Sequence, residues 1–168
     1  MRPSWNEYHM GFARLAATRG TCNRAQVGCV LVKENRILAT GYNGAPPGQA
    51  HCDEVGHLMM GGNCVRGTHA EVGTLLFCAR HGIAVGGASA FITHFPCIRC
   101  LVALMSAGIT KIRYETLYLN GISEEVFRLI KSYHDTRAIN LADMAGRGFH
   151  TMVPTFETGL LTKLEEIK

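Results

Sequence analysis

Two short segments of the chain carry side chains that can do chemistry together: His69-Ala70-Glu71 and Pro96-Cys97-Ile98-Arg99-Cys100. One imidazole and two thiols make three ligands suited to zinc. Three protein ligands leave a fourth position for water, which is the arrangement of a catalytic rather than a structural zinc. A four-cysteine structural site would need a second Cys pair at similar spacing, and the sequence has none. Glu71 stands two residues from His69, a spacing that does not share one face of a regular helix. With the histidine just outside the mouth of a helix, both side chains converge on one water. A carboxylate placed there is a general base. Taken singly, Cys-x-x-Cys is often a structural half-site or two buried thiols, and His-x-Glu means little. The joint pattern, each half opening a helix, carries the reading.

The surrounding elements must hold these residues. Ser4 with Glu7 forms a capping-box signature. Trp5, Tyr8, Phe12, Leu15 and Ala16 follow at helical spacing, and Gly20 can end that helix. Residues 27–33 are apolar and β-branched, Glu34-Asn35-Arg36 is a turn, and 37–42 is a second strand, so this stretch reads as a hairpin. Residues 43–67 show no sustained period and are rich in Gly and Pro, which reads as a long loop, functional or disordered. A helix over 70–81, a strand over 89–93, a helix over 98–107 and a strand over 111–114 come next. Cys97 and Cys100, three apart, share one face at the start of a helix, and Pro96 fits just before it or in its first turn. Thiolates gain there from the helix N-terminal partial charge. Residues 117–119 read as a further strand, a helix capped by Ser123 carries Val126, Leu129, Ile130 and Tyr133 on one face, and 151–156 reads as an added strand. This order predicts an α/β fold with a central mixed sheet and helices on both faces.

The 168 residues suit one domain, 1–168, with a core over about 1–135 and a C-terminal extension over 136–168. Hydrophobic residues make up 47%, which excludes disorder over most of the chain. No apolar run approaches the roughly 18 residues needed to cross a bilayer. The first residues lack a signal-peptide core, so a cytoplasmic protein without a membrane partner is expected. The net charge of +4 suits a small anionic ligand, and the absence of any Lys/Arg run argues against a nucleic-acid partner. Seven cysteines are an odd count and too few for a disulfide scaffold; they read as buried thiols or metal ligands.

The pair His-x-Glu and Pro-Cys-x-x-Cys is the signature of zinc nucleobase deaminases. From Arg2 to about Tyr118 the chain resembles the deoxycytidylate (dCMP) deaminase family of the cytidine deaminase superfamily. The resemblance rests on Arg2-Pro3-Ser4-Trp5-Asn6-Glu7-Tyr8, Thr21-Cys22-Asn23-Arg24, Gly41-Tyr42-Asn43-Gly44-Ala45-Pro46, His51-Cys52 and the two zinc segments. The Gly-Tyr-Asn-Gly-Ala-Pro stretch separates this branch from tRNA adenosine deaminases and riboflavin-pathway deaminases. The resemblance implies a three-layer α/β/α fold, a nucleoside-monophosphate substrate and a homo-oligomer, often a hexamer. It implies that His69, Cys97 and Cys100 bind about one Zn²⁺ per chain. It implies that Glu71 takes a proton from the zinc-bound water, delivers it to N3 of cytosine and later protonates the leaving amine, so that dCMP becomes dUMP and ammonia is released. Asn43 is expected at the sugar or base, and the Ala70 backbone at the amino group or N3. Arg24 is the first candidate for the phosphate, because a guanidinium grips phosphate bidentately, and Asn6 and Ser4 are weaker ones.

Where the family has Asn-Ala after His-Ala-Glu-x, this chain has Gly73-Thr74. Glycine inside a helix costs about 1 kcal/mol relative to alanine, which asks for an explanation such as a larger substrate or a neighbouring chain. Substrates that keep the chemistry are therefore also considered: a modified cytidylate, a free nucleoside or another aminated base. A non-catalytic nucleotide-binding relative would have no need of Glu71. His94, just before Phe95-Pro96, is near enough in sequence to reach the pocket. Cys22, Cys52 and Cys64, with His51 or His57, form a candidate second metal site, since some family members hold an extra metal there. Cys29 and Cys78 read as core. The family also implies dCTP with Mg²⁺ and dTTP as effectors, and the loop 43–67, with Asp53, Glu54 and His57, is the expected place for them.

Overall fold

The computed structural model describes residues 2–116. Helix α1, Trp5–Ala17, opens on Ser4, whose Oγ accepts from the Glu7 N–H at 3.3 Å while Glu7 Oε2 accepts from the Ser4 N–H at 2.6 Å. Strands β1, Gly28–Lys33, and β2, Arg36–Tyr42, form the expected hairpin. Its two turn residues, Glu34 and Asn35, have φ of 52° and 58°. A tight two-residue hairpin requires such a left-handed pair. A one-turn helix α2, Cys52–Val55, and a small hairpin of β3, Met59–Met60, with β4, Asn63–Cys64, follow. Helix α3, Ala70–Arg80, strand β5, Ser89–His94, helix α4, Ile98–Ser106, and strand β6, Lys111–Thr116, complete the frame.

The main sheet has the order β2-β1-β5-β6. β1 runs antiparallel to both β2 and β5, and β5 runs parallel to β6, so the sheet is mixed as the sequence predicts. Side chains alternate between its faces. Cys29, Leu31, Ala90, Ile92, Ile112 and Tyr114 join the larger core with α3 and α4 residues such as Cys78, Leu101 and Leu104. Val30, Val32 and Phe91 pack on Met10 and Ala13 of α1. Helices therefore cover both faces, giving three α/β/α layers.

Close packing fixes both helix layers. A Cβ at Gly28 would lie 1.9 Å from the Ala13 carbonyl oxygen, so α1 rests directly on β1. A Cβ at Gly41 would lie 2.2 Å from Thr74 Oγ1, so α3 rests on β2 in the same way.

Three expectations are corrected. α1 ends at Ala17 with Thr18 as its cap, and Gly20 instead packs against Asn43, whose Oδ1 would lie 2.7 Å from a Cβ there. β6 continues to Thr116. Residues 43–67 hold α2 and the β3–β4 hairpin within the loop. Elements this short leave no periodic trace in a sequence. The readings over 117–119, 123–133, 136–168 and 151–156 lie outside the described residues. Among the described residues no helix is long and apolar enough to cross a membrane.

His9 on α1 is 1% exposed, between the rings of Trp5 and Phe91, and its Nε2 has no hydrogen-bond partner. Burial pushes its pKa down, and Arg113 adds to this against a hydrogen bond with the Asn35 backbone. The folded state thus resists a proton that the unfolded chain accepts below about pH 6.5. Stability from this group is present above that pH and is lost as the pH falls toward the depressed folded value. Urea unfolding of wild type and His9→Leu between pH 8 and 5 is expected to show a shallower loss in the variant. Equal slopes would show that another group carries the acid sensitivity.

Candidate active site

His69 and Cys97 are the N-cap residues of α3 and α4, both with extended backbone (ψ of 151° and 163°). The histidine thus lies outside the regular turn while Glu71 lies inside it. Cys100 is in the first turn of α4 and is 2% exposed, whereas Cys97 is exposed. His69 Nδ1 lies 3.6 Å from Cys97 Sγ and 3.4 Å from Cys100 Sγ. Zinc bonds of about 2.3 Å to sulfur and about 2.0–2.1 Å to nitrogen, at tetrahedral angles, put N and S about 3.5 Å apart. The three side chains therefore fit a zinc ion without rearrangement, and their ligand atoms all lie within 4.8 Å of one another.

Glu71 is 4% exposed. Burial pushes its carboxyl above the ordinary range, while its own backbone amide and His69 pull the other way. A hydrogen bond from Cys100 holds the Cys97 thiol down at about 4, and the same bond, with burial, drives Cys100 up. Contact with Cys97 raises His69. Metal ligation requires the thiols as thiolates, and the contacts at Cys97 favour that form.

The other predicted residues fall in different places. Asn43, just after β2, spends both ends of its amide on the loop before β1. Its Oδ1 accepts from the Val27 N–H at 2.8 Å, and its Nδ2 donates to the Ala25 carbonyl at 2.8 Å. Its neighbour Gly44 is bridged to Thr68, next to His69. The structure thus places Asn43 beside the site as a clamp. Ala70 is fully buried, and its carbonyl accepts from the Thr74 hydroxyl at 2.6 Å. Arg24 is exposed on the clamped loop, with Nη1 3.6 Å from Met59 Sδ. His94 pairs with its neighbour Thr93 at 3.0 Å. Asn6 is not brought to the cluster. It lines a cleft with Trp5, His9, Ser89 and Lys111, at the end of β5 away from Cys97 and on the α1 face. Ser4, the weaker phosphate candidate, is occupied as the cap of α1.

A second group forms from Cys52, His57 and Cys64. Cys52 and Cys64 Sγ lie 3.7 Å apart. A tetrahedral zinc–sulfur site has an S–S edge of roughly 3.8 Å, so the pair is spaced for one ion. His57 Nε2 pairs with Asn23 Oδ1 at 2.6 Å, and its Nδ1 is buried without a partner. An imidazole anchored at one nitrogen with the other left open is the usual state of a metal ligand. Burial opposes the Cys64 thiolate, yet backbone N–H groups of Arg66 and Leu58 and the His57 ring bring it down to about 6. Cys22 lies near enough to act on Cys52 electrostatically. His51 is not in this group; its Nδ1 pairs with Thr21 Oγ1 at 3.1 Å. The choice between the two histidines depends on the path of the loop, which residue spacing does not reveal.

A model of the cytidine and deoxycytidylate deaminase zinc-binding region matches residues 3–116. The chain is 41% identical over 127 residues to ComE operon protein 2 of Bacillus subtilis, covering 75% of this chain and 67% of that protein. It is 38% identical over 125 residues to a deoxycytidylate deaminase of Mycobacterium phage D29, covering 67% of this chain and 95% of the phage protein. The crystal structure of dCMP deaminase from cyanophage S-TIM5 in complex with dCMP and dUMP superposes with a TM-score of 0.65 at 30% identity, covering 77% of this chain and 94% of that one. Sequence, fold and cluster agree, and the chain belongs to the cytidine and deoxycytidylate deaminase family.

Proposed function

We infer that this chain catalyses the hydrolytic deamination of dCMP to dUMP with release of ammonia. The observation that carries the reading is the buried Glu71 carboxyl beside three side chains spaced for zinc. His69, Cys97 and Cys100 would hold a zinc ion, which when bound would supply a water activated as a nucleophile near neutral pH. Glu71 is placed to take one proton from such a water and deliver it to N3 of the base, where it stays, and then to take the second proton from the hydroxyl added at C4 and deliver it to the leaving amine. Burial makes its carboxylate a stronger base than an exposed one.

The Asn43 clamp and the Ala70 backbone shape the wall on which the base and sugar rest. Arg24, exposed on the clamped loop, serves as phosphate ligand; the cleft position of Asn6 gives it no part in this. Gly73 tests the substrate range. Among the described residues a Cβ there would meet nothing nearer than the Tyr42 carbonyl at 3.9 Å, so their contacts do not demand glycine. A cytidylate with a larger substituent is the second reading that this space favours.

The Cys52–His57–Cys64 group, with Cys22 as fourth ligand, is assigned a second, structural metal, supported by the open His57 Nδ1. A homo-oligomer, a hexamer by family resemblance, and control by dCTP with Mg²⁺ and by dTTP complete the reading. For the effector, Asp53 is exposed in the 43–67 loop, whereas Glu54 is engaged in capping α2 through the His51 N–H.

Metal analysis of wild type is expected to give about two zinc ions per chain, and His69→Ala or Cys100→Ala about one, with the fold retained. Unchanged metal in both variants would remove the assignment. Glu71→Gln is expected to keep its zinc and bind dCMP while losing on the order of 100- to 10,000-fold in turnover. Activity within about tenfold of wild type would mean that another group moves the proton. Arg24→Ala is expected to raise KM for dCMP far more than for deoxycytidine; equal effects on the two would take Arg24 off the phosphate.

A further inference from the structure

Cys52 opens α2 and Cys64 closes β4, so the two thiols sit at the ends of one short excursion of the chain. Their sulfurs lie 3.7 Å apart, with Cys52 6% exposed and Cys64 half-buried. Cys29 and Cys78, by contrast, are 0% and 1% exposed in the main core. Between Cys52 and Cys64, Gly56, Gly61 and Gly62 have φ of 78°, 55° and 77°, and nothing lies within 4 Å of where their Cβ atoms would be. The turns are therefore unpacked on that side. A disulfide bond is about 2.05 Å long, so the sulfurs must close on each other to form one. That closure moves this segment and leaves the sheet and its core untouched.

We propose that Cys52 and Cys64 form a thiol–disulfide modification site that reacts with low-molecular-weight disulfides and, once oxidised, no longer holds a metal. The half-buried Cys64 thiolate attacks one sulfur of the small disulfide, forming a mixed disulfide and expelling one small thiolate. Cys52 gives its proton to solvent and attacks the Cys64 sulfur. The protein disulfide forms, and the second small thiolate leaves. Two protein thiols are oxidised, and one small disulfide is reduced to two thiols. The product removes two of the three sulfur ligands at once, leaving only Cys22 and His57 Nδ1, too few to retain the ion. Only the expulsion of metal rests on the second-metal reading above; bond formation does not.

The full-length protein, as purified with its zinc, is incubated with excess oxidised glutathione, alkylated, digested and mapped by mass spectrometry. Zinc release is followed in parallel with a chromogenic chelator. The expected result is a Cys52–Cys64 cross-linked peptide, release of about one zinc per chain, and reversal of the cross-link by dithiothreitol. Cys52→Ser is expected to stop at the Cys64–glutathione mixed disulfide. Recovery of Cys52 and Cys64 alkylated or separately glutathionylated, or cross-linking confined to Cys97–Cys100, overturns the proposal. A Cys52–Cys64 cross-link without zinc release, in protein carrying one zinc per chain, upholds the modification site and overturns the second metal instead.

Discussion

α3 and α4 lie on one face of the sheet and begin at neighbouring points, and the geometry of the cluster follows from this meeting of two helix ends. Each helix leaves its first N–H groups without partners inside the helix, and together they favour negative charge in the space between. His69 and Cys97 occupy the two N-cap positions. Extended backbone there turns their side chains away from the helix axes. Cys100 and Glu71 come from the first turns and lie deeper. Two ligands on the rim and one below, with a carboxyl beside them, leave one side of a tetrahedron open.

That meeting point depends on how tightly the helices sit on the sheet. Gly41 lets Thr74 come close to β2, and the Thr74 hydroxyl turns back onto the Ala70 carbonyl. A smaller residue at 74 would leave a gap over Gly41, and a larger one at 41 would lift the start of α3 and carry His69 with it. The Gly73-Thr74 departure from the family pattern thus divides in two. Thr74 is explained by packing within the chain. Gly73, one turn below His69 with its N–H on the His69 carbonyl at 2.9 Å, is not. No contact among the described residues accounts for it.

The frame is legible in the sequence because its signals are local and periodic. The Ser4–Glu7 capping box, the β-branched run from Val27, and the helical spacing after Ala70 each depend on residues a few positions apart. The candidate site is legible for a different reason: His69, Glu71, Cys97 and Cys100 are few, chemically unusual together, and fixed to helix starts that the sequence marks. Asn6 misleads because a polar residue near a conspicuous motif says nothing about which face of the sheet it reaches. Alternation along β5 decides that, placing Ser89 and Phe91 on the α1 side with Asn6 and the end near His94 with the cluster. Asn43 can be located from sequence but not understood from it. Its neighbours suggest a ligand contact, whereas its amide is committed to Ala25 and Val27 across the hairpin end.

The 43–67 segment shows what periodicity cannot reach. Its order comes from single contacts to distant residues: Thr21 to His51, Asn23 to His57, Arg24 to Met59. Each joins the segment to the loop after α1. A two-residue-per-strand hairpin has too little ladder to stand alone. The sulfur pair and the open His57 nitrogen stand where β4 comes back against α2. A tie made of thiols and imidazole has more than one chemical state, metal-bound or oxidised, unlike a tie made of leucine. The same segment leads through the Gly44–Thr68 bridge to His69. The loop and His69 are therefore joined by a continuous run of backbone.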